Sequence, residues 1–126
     1  MRAGLSEWLD AYGRAWESRD ANAAAELFAE DAVYQWGPFG RRLRGRPLIR
    51  EAWAEALETQ ENISFGYEVL SASASGGLAR WWCSTDDVVR KVRERNEGIF
   101  RLAFEEGGLC SSFEEWWNSS EQPIDA

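Results

Sequence analysis

Residues 98–118 read GIFRLAFEEGGLCSSFEEWWN. In the first half, Gly98, Phe100, Leu102 and Phe104 alternate with Ile99, Arg101, Ala103 and Glu105. In the second half, Phe113, Glu115 and Trp117 alternate with Ser112, Glu114 and Trp116. Period-two alternation on both sides of Glu105-Glu106-Gly107-Gly108 predicts two antiparallel strands with one buried face. The register then gathers Phe100, Leu102, Phe104, Phe113 and Trp117 on that face, with Glu115 among them. Two readings stay open for Glu115: a strand-end acid paired to arginine or reached by water, or a carboxyl perturbed by its apolar neighbours.

The 126 residues and 14.3 kDa are enough for one hydrophobic core. We expect a single domain over 1–118 and a frayed tail over 119–126, where periodicity ends. A formal charge of -8 argues against nucleic-acid phosphates and against an anionic membrane surface. No apolar run approaches the ~20 residues of a membrane span. The N-terminal MRAGLSEWLDAYG carries acids within its apolar stretch, unlike a signal peptide, so a cytoplasmic location is expected. Cys83 and Cys110 match no metal or redox spacing, and no cofactor or metal is expected. The chain has no histidine, which excludes Ser-His-Asp and Cys-His nucleophile systems and histidine general bases. Carboxylates, tyrosine, lysine, arginine or water must carry any chemistry.

Outward from the hairpin, Trp8, Leu9, Tyr12, Ala15 and Trp16 recur at helical spacing after Ser6, the expected N-cap. Asp20 caps a short second helix over 21–29. Residues 31–36 form a strand that ends at Gly37-Pro38-Phe39-Gly40. The RRLRGR segment, with arginines at 41, 42, 44 and 46, reads as a loop that either grips an anion or offsets neighbouring acids. Pro47 opens a third helix with Leu48, Ile49, Ala52, Trp53, Ala56 and Leu57 on one stripe. From Ile63 the chain is strands, with a turn at Ser75-Gly76-Gly77 and a polar arm over 86–97 whose turn lacks a Gly or Pro mark. If Arg80 points outward, Trp81 and Cys83 face in, while Trp82 and Trp116 lie on the outer face and need cover, for which a second subunit is the obvious candidate.

Three helices and a run of strands predict an α+β fold: helices packed in a strongly bent antiparallel sheet that forms a cone-shaped half-barrel with an internal pocket. The stretches AYGRAWESRDANAAAELFAEDAVYQW, LRGRPLIREAW and GIFRLAFEEGGLCSSFEEWWN resemble the nuclear transport factor two-like superfamily, and within it the SnoaL-like group. This resemblance implies the conical fold, a pocket between helices and sheet, and dimerisation through the outer sheet face. It constrains activity less, because the fold hosts isomerases, cyclases, hydrolases and binding modules. Against ketosteroid isomerase, Tyr12 matches the oxyanion-hole tyrosine. The general-base and protonated aspartates fall on Trp36 and Phe100, so that route of proton transfer is not implied.

The expected pocket is lined by Tyr12, Trp16, Tyr34, Trp36, Trp53, Phe65, Tyr67, Trp81, Phe100, Phe113, Glu115 and Trp117. One reading is an isomerase, cyclase or lyase acting on a small, apolar, carbonyl-bearing molecule. Glu115 would then be general base and Tyr12 the hydrogen-bond donor to the oxyanion. The other is a non-catalytic small-molecule-binding or dimeric interaction module.

Overall fold

A computed structural model describes residues 4–37 and 39–124. Three helices, α1 (Leu5–Glu17), α2 (Ala21–Ala25) and α3 (Arg46–Leu57), pack on six strands. These are β1 (Phe28–Trp36), β2 (Arg42–Arg44), β3 (Gln60–Ser73), β4 (Gly76–Asp87), β5 (Val92–Phe104) and β6 (Cys110–Pro123). The sheet runs β2-β1-β6-β5-β4-β3 and does not close. Register shifts in β3 after Glu61 and Val69, and in β5 after Ala103, bend it around the helices. This is the expected α+β cone, with one pair, β1 to β6, parallel rather than antiparallel. Helix α3 lies between the β1–β2 hairpin and β3, so β1 and β6 meet without being joined by a hairpin.

Several boundaries differ from expectation. Helix α1 begins after Gly4, not Ser6, and has no side-chain cap. The Asp20 carboxylate does cap α2, accepting from the Ala23 N–H at 3.0 Å, but the helix lasts only to Ala25. The arginine segment is not all loop: Arg42–Arg44 pairs with Val33–Gln35 and buries Leu43 between exposed arginines. Residues 119–123 continue β6 opposite Val92–Asn96 instead of fraying. Backbone pairing needs no apolar alternation, so polar side chains on both faces hid this strand. The polar arm is itself a hairpin. The Asp87 carboxylate accepts from the N–H groups of Val89 and Arg90, and Lys91 takes φ 56°. Pro38 in the expected 37–40 turn, and residues 1–3 and 125–126 of the expected domain and tail, lie outside the described residues.

Alternation across β4–β6 puts Trp81, Cys83, Phe100 and Phe113 in the core, while Arg80–Glu97 and Arg101–Glu114 pair on the outside. Aromatic rings fill the interior. Trp81 stacks on Phe100 and Tyr34 on Phe113, both at 4.7 Å between centroids. Helix α1 comes close to β3 because Gly13 has no side chain: a Cβ there would lie 2.7 Å from the Phe65 ring. No helix among the described residues is long and apolar enough to cross a membrane.

Phe100 is fully buried and touches Tyr12, Phe65, Trp81 and Phe113. We therefore expect Phe100→Ala to cost about 3–5 kcal/mol in urea unfolding. Phe39→Ala, at a ring 99% exposed, should stay within about 0.5 kcal/mol.

Candidate functional site

Between the helices and the concave face lies a cavity of about 210 Å³. Strands β1, β5 and β6 contribute by alternation, and β4 through Trp81. Inward positions of β6 run Phe113, Glu115, Trp117; those of β5 run Phe100, Gly98, Asn96, Glu94 toward the mouth. Glu115 lies opposite Phe100 across the β5–β6 ladder and opposite Trp36 across β6–β1. Its backbone carbonyl accepts from the Gly37 N–H at 2.7 Å, which fixes the strand where the carboxyl enters the cavity.

Glu115 is 8% exposed and, among the described residues, pairs with no arginine or lysine. Burial pushes its carboxyl up to about 8, while the nearby Tyr34 hydroxyl draws it partway back. The Tyr34 and Tyr12 oxygens are 3.0 Å apart. Burial holds both phenols well above their usual range. A carboxyl and two hydroxyls thus converge inside an aromatic enclosure.

Of the expected pocket residues, Tyr12, Trp16, Tyr34, Trp36, Trp53, Trp81, Glu115 and Trp117 border the cavity. Phe65, Tyr67, Phe100 and Phe113 do not. Phe100 and Phe113 lie beneath Trp81 and Tyr34 as fully buried backing. Phe65 occupies the slot over Gly13. Tyr67 turns to α1, where its hydroxyl donates to the Ser6 carbonyl at 3.0 Å and also lies 2.7 Å from an Asp10 carboxylate oxygen. Alternation finds the face of a strand but not the depth of each side chain on it.

Ala56, Gln60, Glu94 and Asn96 also border the cavity and were missed. For Glu94 and Asn96 the signal was there, because stepping back by twos from Phe100 reaches both. Gln60 had none. It follows α3, and its amide oxygen accepts from Trp16 Nε1 at 2.9 Å. Among the described residues no group of acids and cysteines could hold a metal. The buried thiols are also poor nucleophiles, since burial raises Cys83 strongly and Cys110 to about 12.

The sequence matches the SnoaL-like domain over residues 9–112, and the chain belongs to that family. No curated protein matches it. Solved structures share its fold at low identity. A Δ5-3-ketosteroid isomerase from Mycobacterium sp. has a TM-score of 0.77 at 17% identity, covering 94% of this chain and 98% of that one. A hypothetical protein of ketosteroid isomerase-like fold from Catenulispora acidiphila, in complex with trimethylamine, also has a TM-score of 0.77, at 18% identity and 87% and 84% coverage. A computationally designed 17-OHP binder has a TM-score of 0.78 at 14% identity, with 97% and 98% coverage.

The raised Glu115 carboxyl sets a pH dependence. Unfolded chain ionises near the ordinary glutamate value, whereas folded chain keeps its proton to about 8. The unfolded state therefore binds fewer protons between these values, and stability falls as pH rises. No histidine titrates in that window. Urea unfolding from pH 5 to 8 should lose up to roughly 1.4 kcal/mol per pH unit, and Glu115→Gln should flatten the slope.

Proposed function

We propose that this SnoaL-like domain binds a small, largely apolar, carbonyl-bearing molecule and acts on it by acid–base chemistry, as an isomerase, cyclase or lyase. The observation that carries this reading is Glu115: a buried carboxyl with no cationic partner among the described residues, in the wall of a cavity rich in aromatic rings. Its proton affinity lies close to neutrality, where a side chain can both take up and return a proton. Ionised Glu115 would remove a proton beside the carbonyl. The Tyr12–Tyr34 hydroxyl pair would donate to the oxygen as negative charge develops. At about 210 Å³ the cavity is below the roughly 300–1,000 Å³ of drug-sized sites, so the substrate is small.

A pocket that binds without chemistry is the second reading. It is favoured by the Tyr12–Tyr34 bond, in which the two hydroxyls already satisfy one another. The designed 17-OHP binder illustrates that this fold also serves as a binder.

Exchange of the α-protons of cyclohexanone in deuterated water, followed by NMR, separates the two. Under the first reading the protein accelerates exchange, the rate rises with pH and levels off above about 8, and Glu115→Gln loses about 10²–10⁴-fold. Saturable binding with no exchange in either protein would establish the second.

We also propose that two copies pair through the outer sheet face. Trp82 and Trp116 are 39% and 37% exposed there; Trp82 borders an open groove of about 750 Å³ and Trp116 one of about 530 Å³. Within one subunit the Arg80 guanidinium already covers part of Trp82, 4.8 Å from the ring. Sedimentation at micromolar concentration should give twice 14.3 kDa. Trp116→Ser should shift the protein to monomer; a wild-type monomer would refute the pairing.

A further inference from the structure

The polarity of the cavity wall is one-sided. Among the described residues two carboxyls, Glu94 and Glu115, border it, and no lysine or arginine does. The remaining polar groups are neutral amides, phenols and indole N–H groups, those of Trp53 and Trp81 without a partner among the described residues. An anionic ligand would find no cationic side chain in this wall and would meet Glu94 at its mouth, and binding it would hold Glu115 in its neutral form.

The aromatic wall presents the complementary feature. Trp81 and Tyr34 each have one ring face covered, by Phe100 and Phe113 respectively. What they can offer the cavity is the opposite face or an edge. Trp16 and Trp53 meet edge to face at 5.3 Å and close another side. The negative faces of such rings attract organic cations, and enclosures of Trp and Tyr are a recurrent means of holding ammonium groups.

We propose that the ligand of this cavity carries a small organic cation, a protonated or methylated amine, held among the aromatic rings and balanced by Glu94 and Glu115. This adds a charge to the molecule proposed above and rests on the reading that the cavity is its binding site. The two acids have separate parts. Glu94 stands near the mouth, its side chain 29% exposed and 4.0 Å from Arg90, whose closer partner is Glu121. It can attract a cation entering from solvent. Glu115 lies deep and, at neutral pH, mostly uncharged. The titratable groups facing it are Tyr12 from α1, Tyr34 from β1 and Cys83 from β4, with Glu94 of β5 on the same cavity. None brings positive charge, so an arriving ammonium would be the counter-ion that lets Glu115 ionise. Binding and proton release are then linked.

Calorimetry and NMR with choline and its neutral carbon isostere, 3,3-dimethyl-1-butanol, test this at matched ionic strength. Choline should bind saturably and the isostere roughly tenfold or more weakly. At pH 7 choline should release close to one proton, read from the dependence of the heat on buffer ionisation, and Glu115→Gln should abolish the release. Glu94→Gln, at a partly exposed position, should weaken choline several-fold and leave the isostere unchanged, with its amide spectrum confirming the fold. Equal affinity for choline and the isostere, or choline binding indifferent to both substitutions, overturns the cation and leaves the cavity reading standing. If choline, the isostere and cyclohexanone all fail to bind, the cavity reading falls as well.

Discussion

Glu115 faces Phe100 across the β5–β6 ladder, and the other inward positions of the concave face follow from that register. Shifting the pair by one residue would turn Glu115 outward and bring Glu114 and Trp116 inside. The register is held by more than backbone bonds. Phe113 and Phe100 sit fully buried with ring centroids 4.7 Å apart, and each carries a second aromatic stacked on it. Gly98 allows tight approach of the strands here, since a Cβ would lie 1.7 Å from the Trp116 carbonyl oxygen. The apolar cluster thus places a carboxyl where apolar packing alone would not have put one.

A buried acid without a counter-ion costs far more when charged than when neutral and hydrogen-bonded. The fold keeps Glu115 neutral over most of the physiological range and surrounds it with groups that tolerate either state. Tyr34 can hydrogen-bond to the carboxylate, and Tyr12 stands behind Tyr34 at 3.0 Å. Arginines lie close in sequence, but Arg80 and Arg101 are engaged by Glu97 and Glu114 on the opposite face. Segregating charge pairs to the convex side is what leaves the carboxyl free on the concave side.

The helices serve the same arrangement. Helix α1 delivers Tyr12 and Trp16 because Gly13 lets it settle against Phe65, and because Glu17 accepts from the Phe65 N–H at 3.0 Å. Helix α3 adds Trp53 and Ala56. Trp53 and Trp81 have ring N–H groups that are buried without a partner among the described residues. The rim, by contrast, is polar: Gln60, Glu94 and Asn96 mark the way out to solvent.

Local pattern in the sequence determined much of this protein. Period two assigned the faces of β5 and β6, the condition that Arg80 points outward then gave Trp81 inward and Trp82 outward on β4, and helical spacing assigned the buried stripe of α1. Composition removed histidine chemistry altogether. The α+β cone and its family could be read from motifs spread over nearly the whole chain. Tertiary structure alone decided how deep each inward residue lies. It placed Phe100 and Phe113 beneath the wall, turned Tyr67 away to α1, and brought Gln60 to the mouth. It also set β1 parallel to β6 and extended β6 through a polar segment without alternation. The physical reason is that alternation records only which side of a strand is buried. Depth, partners and proton affinity depend on side chains far away in sequence, and Glu115 became a neutral acid only once the core closed around it.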